Sequence, residues 1–494
     1  MKFVSTRKGI VATAPETVFQ GLAPDGGLFL PLMAEENSDF KSQSSKIDSL
    51  GAAERFVCEQ LFGDFPESVR EEAIARLLSR FPAEDPVPLV EKDGLHILEL
   101  FHGKTGAFKD VALSMLPVFM RHSAGGKRVL ILTATSGDTG SAAMQGFAGV
   151  EGTEIIVFYP ATGTSRIQKL QMTTPSEANV HAVGIRGNFD DAQGAVKRIF
   201  ASKEINDAAA KAGVTLSSAN SINTGRLIPQ IAYYVLAGAK LNLQPSTFNL
   251  QPSFDVVVPS GNFGNILAAY YAKKLGTPIR KLIVASNVND VLARFVKTGV
   301  YDPGEKFTVT NSPSMDIRIS SNVERLLWML NFRSREEVEV DNGIYDLDSE
   351  IKRACDEVSR LMKDLKEKGR YELNDAAKAK LFAEFEGGVA TPEETEAEMR
   401  RMREAAGYLI DPHTAVATFV AKREVEKRGG ERNIPMVVAA TATPYKFPET
   451  CLRAYGEDVL DNPPPSCKDL EKLPIAQTRV CDVDKIDEEV IRLF

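Results

Sequence analysis

The chain has 494 residues, of which 43% are hydrophobic and 26% charged; this is enough apolar matter for a large core and excludes whole-chain disorder. Lys and Arg number 59 against 67 Asp and Glu, a formal net charge of −8, which argues against a general nucleic-acid binder. The five cysteines are scattered without a C-x-x-C pair and no two of the five histidines have a helical metal-ligand spacing, so neither a disulfide framework nor a metal site is expected.

At the N-terminus the charges of MKFVSTRKGIV are not followed by an apolar stretch of the kind a secretory signal needs, and no run approaches the ~18 apolar residues of a membrane span. The expectation is a cytoplasmic protein with no membrane partner. Residues 1–95 mix helical patterns with loops and read as an N-terminal α+β region. From there short, almost wholly apolar runs recur. Val129–Thr133, Ile155–Tyr159, Val180–Ile185, Asp255–Pro259, Leu282–Ala285 and Met436–Ala440 read as strands buried on both faces. Helical patterns lie between them at Ser141–Ala148, Asp190–Phe200 and Leu227–Lys240. This alternation predicts an α/β protein with two parallel-sheet domains and a cleft between them.

The smaller domain is placed at 96–225. The larger is placed at 226–460 and carries a charged helical insertion over about 317–410; a C-terminal extension follows at 461–494. Gln244–Ser253 reads as a surface loop. Ser349 opens a long amphipathic helix with Ile351, Val358, Leu361 and Leu365 on one side. Thr391, Pro392 and Glu394 form a capping box at the start of another.

Three strand-to-loop junctions stand out, each readable alone as an ordinary turn and helix cap and together as a ligand site. Val129–Thr135 runs into Ser136–Gly140, Asp255–Ser260 into Gly261–Asn265, and Met436–Ala440 into Thr441–Pro444. A Gly-rich turn ahead of a helix exposes backbone N–H groups at the positive end of the helix dipole, where an anion binds. No Walker motif and no G-x-G-x-x-G fingerprint is present, so a nucleotide is not the favoured anion. A fourth segment, Phe101–Asp110, sets Lys109 behind a small-residue turn at a helix start; a poorly solvated lysine there can attack a carbonyl. A fifth, Ser218–Arg226, joins amides, hydroxyls and one arginine suited to carboxylate or phosphate, with Asn223 or Thr224 as a helix cap.

These motifs, in this order, resemble the threonine synthase family, pyridoxal-phosphate enzymes of the tryptophan-synthase-β-like fold (fold type II). The resemblance also takes in Gln20–Pro31, Leu98–Gly103, Ala285–Asp290, Asp411–Val416 and Thr441–Phe447. It implies pyridoxal 5'-phosphate as cofactor and a two-domain α/β fold. It implies Lys109 as the Schiff-base lysine and proton carrier, and Gly261, Asn262, Phe263, Gly264 and Asn265 as the cofactor-phosphate loop. Thr441 then faces the pyridine nitrogen, Asp138 lies at the cofactor, and Ser136 and Thr139 lie beside the substrate. Asn220, Ser221 and Arg226 match the substrate-phosphate pocket. The implied reaction turns O-phospho-L-homoserine and water into L-threonine and phosphate, in a monomer or homodimer without metal. A related phospholyase, releasing phosphate and a keto acid, is the alternative. Lys104 stands where the family usually has proline; it is a candidate contact to the substrate, or a solvated loop lysine. For His102 and His413 a loop-fixing role is expected.

Overall fold

In the computed structural model, residues 1–33, 43–82, 84–241, 253–304, 306–338, 345–428, 434–456 and 461–494 are described. All six expected strands form, and they fall into two sheets. In the first, five parallel strands run in the order Arg479–Cys481, Val180–Ile185, Thr153–Pro160, Arg128–Ala134, Val214–Ser218. In the second, Phe385–Val389, Ile279–Ser286, Phe254–Pro259, Met436–Ala440 and Leu95–Glu99 are parallel, and Leu89–Lys92 closes the edge antiparallel.

The reason is burial. Val256, Val257 and Val258 are successive residues that point to alternate faces, and none has any exposure. Both faces of the strand must therefore be covered, which crossover helices do and hairpins do not. Leu130, Ile156 and Val183 pack with Ala192, Ala195 and Ile199 of the helix Phe189–Ala201, so one face of the five-stranded sheet is sealed. Burying a side chain of this size contributes about 1.5–3 kcal/mol.

Sheet membership cuts across the expected boundaries in three places. Leu95–Glu99 straddles the boundary at 95/96, yet it pairs with Met436–Ala440 and so joins the larger sheet. Within the expected insertion, helices do form at Val323–Asn331, Leu347–Lys368, Asp375–Glu384 and Pro392–Ala406, but Phe385–Val389 is an edge strand on Ile279–Ser286. Its sequence, FEGGV, carries neither alternation nor an apolar run, so the pairing has no local signal. The C-terminal stretch is no appendage either. Arg479–Cys481 extends the smaller sheet, and Ile486 and Val490 of the following helix enter its core.

Local signals held elsewhere. The long helix begins at Leu347, capped by Asp346, which accepts from the Ser349 N–H; Ile351, Val358 and Leu361 are buried. Thr391 closes its capping box with Glu394. The pattern at 227–240 resolves into the short helix Thr224–Leu227, a tight turn containing Pro229, and Ile231–Leu241. Of the loop expected at 244–253, all but Ser253 lies outside the described residues. No disulfide joins the five cysteines, which are all buried. Among the described residues no helix is long and apolar enough to cross a membrane.

The N-terminal strands Phe3–Ser5, Val11–Ala12 and Phe29–Pro31 form a small antiparallel sheet. It is fastened to the site by Arg325, a fully buried side chain. Its Nε donates to the Phe29 carbonyl at 2.7 Å, and its guanidinium donates to the carbonyls of Ser221 and Ile222. Residues far apart in sequence thus hold one loop of the cleft.

Candidate active site

A cavity of about 700 Å³ opens between the two sheets. Its walls are the loops that leave the carboxyl ends of parallel strands: Ser136–Thr139, Ala161–Thr164, Arg186–Phe189, Asn220–Ser221, Ser260–Asn265 and Thr441. Ligands of open α/β sheets collect in this position because helix N-termini and free loop backbone converge there.

Lys109 is the first residue of the helix Lys109–Ala124 and projects into this cavity with 12% exposure. The turn before it is tied to the larger sheet. The Phe108 N–H donates to the Thr441 carbonyl at 2.9 Å, the Thr443 N–H donates to the Gly106 carbonyl at 3.0 Å, and Ala107 bridges Ala442. The Lys109 Nζ lies 3.2 Å from Oδ2 of Asp138 and 4.3 Å from the centre of the Phe108 ring. Burial lowers the Lys109 ammonium below the ordinary lysine value, with Arg226 and Lys446 adding to the effect and Asp138 opposing it.

Asp138 begins the helix Asp138–Phe147 and is itself buried. Its Oδ1 accepts from Gln168 Nε2 at 2.7 Å and pairs with Lys446 Nζ at 2.9 Å. Burial alone would push this carboxyl up. The two lysines and Gln168 outweigh it and hold the group well below the carboxylate range. The approach of Gln168 requires Gly137, whose φ is +153°; a Cβ there would lie 2.4 Å from the Gln168 side chain.

The loop after Phe254–Pro259 is built to receive an anion. Phe263 takes a left-handed conformation, φ 63°, and caps the helix Gly264–Lys274. Among the described residues no acceptor sits on the backbone N–H groups of Asn262, Phe263, Gly264 or Asn265. Gly261 allows close packing, since a Cβ would meet the Ser314 carbonyl at 2.6 Å. Asn265 is anchored by the hydroxyls of Tyr233 and Tyr234, which donate to its Oδ1 at 3.0 and 2.5 Å. Among the described residues its Nδ2 and the Asn262 Oδ1 are buried without a partner.

Arg226 is buried in the same cavity. Burial brings its guanidinium down to about 10, so it remains a cation. One Nη donates to the Ala219 carbonyl at 3.0 Å, while Nε has no partner among the described residues. Asn220 donates to the Ala134 carbonyl at 3.1 Å, and Ser221 accepts from Asn322 at 2.8 Å. Asn223 is the cap of the next helix and accepts from the Gly225 N–H.

The cleft thus brings together Lys109, Ser136, Asp138, Thr139, Asn220, Ser221, Arg226, Gly261, Asn262, Phe263, Gly264, Asn265 and Thr441. Lys104 does not line this cavity, which favours the solvated loop lysine over the substrate contact. It is exposed and lines a separate cavity with Arg80, His102 and Tyr408. The cause is the clasp of the neighbouring Thr105 onto Asp110, which turns the backbone so that only Phe108 and Lys109 of this segment reach the cleft. His102 pairs with Glu99 at 2.6 Å on that far side. His413 does line the cleft, but its ring is fixed at both nitrogens: Nδ1 meets Asp411 at 2.8 Å and Nε2 accepts from the Ser314 N–H at 3.1 Å. It fastens the loop packed on Gly261.

Lys446 and Gln168 were not foreseen. Lys446 stands within a recognised motif, Thr441–Phe447, but nothing local marks a lysine for full burial.

Uncapped N–H groups at a helix start, buried amide atoms without partners and a poorly solvated lysine fit the phosphate and aldehyde of pyridoxal phosphate. The fold and site are those of a pyridoxal-phosphate-dependent lyase of fold type II, and the profile of the family described as "Pyridoxal-phosphate dependent enzyme" matches residues 82–365. A second profile, "Threonine synthase, C-terminal", matches residues 414–493. The chain is 34% identical to the threonine synthase of Saccharomyces cerevisiae over 97% of its own length and 93% of the relative's. It is also 36% identical to the human protein "Threonine synthase-like 1", over 89% of this chain and 57% of that one. The crystal structure of PLP-bound threonine synthase from Brucella melitensis superposes with a TM-score of 0.84 at 35% identity, covering 100% of this chain and 99% of that one. The chain belongs to the threonine synthase family, the pyridoxal-phosphate lyases of threonine biosynthesis.

Proposed function

We propose that the cleft converts O-phospho-L-homoserine and water to L-threonine and phosphate, with Lys109 as its catalytic residue. The observation that carries this reading is that one cavity holds a buried, weakly solvated amine together with two candidate anion sites: the uncapped loop 261–265 and the buried Arg226. A substrate and a cofactor that each carry a phosphate need two such sites.

In this reading the N–H groups of Asn262, Phe263, Gly264 and Asn265 take the cofactor phosphate at the positive end of the helix Gly264–Lys274. Thr441 would offer a neutral hydroxyl to the ring nitrogen in place of a carboxylate, and Asp138 steadies Lys109. Pyridoxal phosphate supplies an electron sink for the carbanion formed at the substrate Cα. Lys109 takes protons from Cα and then Cβ on its Nζ. After phosphate leaves Cγ, one proton goes to Cγ, which becomes the methyl group. Water gives its hydroxyl to Cβ and its other proton to the released phosphate, and Lys109 returns the last proton at Cα. Arg226, Asn220 and Ser221 bind the phosphate of the substrate and retain it after the Cγ–O bond breaks, while Ser136 and Thr139 orient the amino-acid portion. The net charge of −8 argues against a nucleic-acid partner, and this reading places the protein in the cytoplasm, acting on a small molecule as monomer or homodimer.

The test is product identification. Holoenzyme is incubated with O-phospho-L-homoserine, and amino acids and phosphate are measured together. Threonine equal to phosphate is the expected result. Phosphate accompanied by 2-oxobutyrate and no threonine would make the chain a phospholyase instead.

A further inference from the structure

Asp138 is the meeting point of two buried lysines. Lys109 Nζ stands 3.2 Å from one oxygen, and Lys446 Nζ stands 2.9 Å from the other. Lys446 has no solvent exposure at all, and its Nζ also donates to the Thr105 carbonyl at 2.9 Å. It does not line the cleft, so it is no substrate contact. A wholly buried ammonium is costly and is seldom found where an apolar side chain would serve. Its contact with the chemistry runs through Asp138.

We propose that Lys446 is a positioning residue that keeps Lys109 available as a free amine, by occupying the Asp138 oxygen that Lys109 does not reach. The inference rests on the reading of Lys109 as the lysine that takes the cofactor. Were Asp138 to face Lys109 alone, the low-dielectric pair would hold the proton on the Lys109 Nζ. An ammonium has no lone pair with which to attack an aldehyde or to accept a proton. With Lys446 in place the carboxylate is already compensated, and a second positive charge at Lys109 is repelled. Asp138 then orients the amine without trapping its proton. Gln168 completes the arrangement by donating to the same oxygen that Lys446 holds.

The charged groups around the pair are few. Asp138, Arg226 and Lys446 face Lys109, and burial, Arg226 and Lys446 all depress its ammonium. Asp138, Asp110 and the Cys467 thiol face Lys446. Asp110 does not substitute for Asp138, because its two oxygens are taken by Thr105 and the Ala107 N–H.

The test uses the full chain without cofactor, so that the readout is independent of turnover. Trace acetic anhydride acylates lysines in proportion to their free-amine fraction, and digestion followed by mass spectrometry reports Lys109 as a function of pH. Wild type is expected to show a Lys109 midpoint below the ordinary lysine value of about 10.4. Lys446→Met is expected to raise that midpoint by about one unit, so that acylation near pH 8 falls about tenfold. In the holoenzyme the acid limb of the kcat profile should move up with it, with KM little changed, and Lys446→Arg should restore both. A wild-type midpoint at or above the ordinary lysine value overturns the proposal. So does an unmoved midpoint in a folded Lys446→Met protein that has lost activity, since Lys446 would then be structural. If Lys446→Met does not fold, the wild-type and Lys446→Arg midpoints still decide. A failed product assay would leave these labelling results standing, so the two readings fail separately.

Discussion

The Asp110 carboxylate accepts hydrogen bonds from both the backbone N–H and the hydroxyl of Thr105, at 2.9 and 2.7 Å. This clasp closes the turn that begins at Gly103 and delivers Lys109, one residue before Asp110, to the cleft. Lys104, in the same turn, is left outside. Together with the ties of Gly106, Ala107 and Phe108 to Thr441, Ala442 and Thr443, this clasp sorts two lysines five residues apart into different surroundings.

For Lys109 the consequence is direct. Lys109→Ala removes the one amine that lines the cleft among the described residues, and an absorption band of bound pyridoxal phosphate in the visible is expected to vanish along with reductive trapping by borohydride. Turnover should fall by at least about 10³-fold, the scale of losing a positioned acid–base group. Spectra and rates measured on the same preparation check both.

Arg226 calls for a different pattern. Arg226→Gln withdraws a buried cation from the proposed phosphate pocket while leaving loop 261–265 intact. KM for O-phospho-L-homoserine should rise about 100-fold, in line with the 2–5 kcal/mol cost of truncating one member of a buried charged contact. The cofactor band should remain. Loss of the band with unchanged KM would assign Arg226 to the cofactor instead.

Lys104→Pro introduces the proline expected from the family resemblance at a position that lies outside the cleft. The Michaelis constant for the phosphorylated substrate should stay within about twofold of wild type, since surface substitutions away from a site have small effects. A clear rise would return Lys104 to the substrate pocket.

Stability carries its own pH signature. Glu54 is fully buried in the helix Leu50–Leu61, and neither carboxyl oxygen has a hydrogen-bond partner among the described residues. Burial raises its carboxyl well above the ordinary value. The folded chain thus prefers the neutral form. That preference is satisfied below the ordinary carboxylate range and is lost as pH climbs through the raised value. Glu54→Gln cannot ionise, so its melting temperature should exceed that of wild type by a margin that widens from pH 5 to pH 8. The gain comes from removing the ionisation cost, about 1.4 kcal/mol for each pH unit travelled between the ordinary carboxylate value and the raised one. Parallel thermal melts across that range provide the check.

How far the sequence reaches can be judged from particular residues. The strand Met436–Ala440 is wholly apolar and ends at a turn, so its identity as a buried parallel strand follows from local composition. Gly261–Asn265 announces an anion loop because glycine and a helix start are both local features. The Thr391 capping box is legible for the same reason, its partners being three residues apart. The strand Phe385–Val389 has no such signature, since its existence depends on an edge offered by Ile279–Ser286. The strand Arg479–Cys481 depends likewise on Val180–Ile185, close to 300 positions away.

The sequence by itself determined most of the elements and the order of the loops, and singled out Lys109 as the candidate reactive lysine, because backbone preferences and motif chemistry act over a few residues. The tertiary structure decided which charges are buried together. It set Lys446 and Gln168 on Asp138, placed Arg325 on the Ser221 and Ile222 carbonyls and left Lys104 outside the cleft. A lysine carries the same side chain wherever it stands; its solvation, its partner and so its proton are settled only when distant segments close around it.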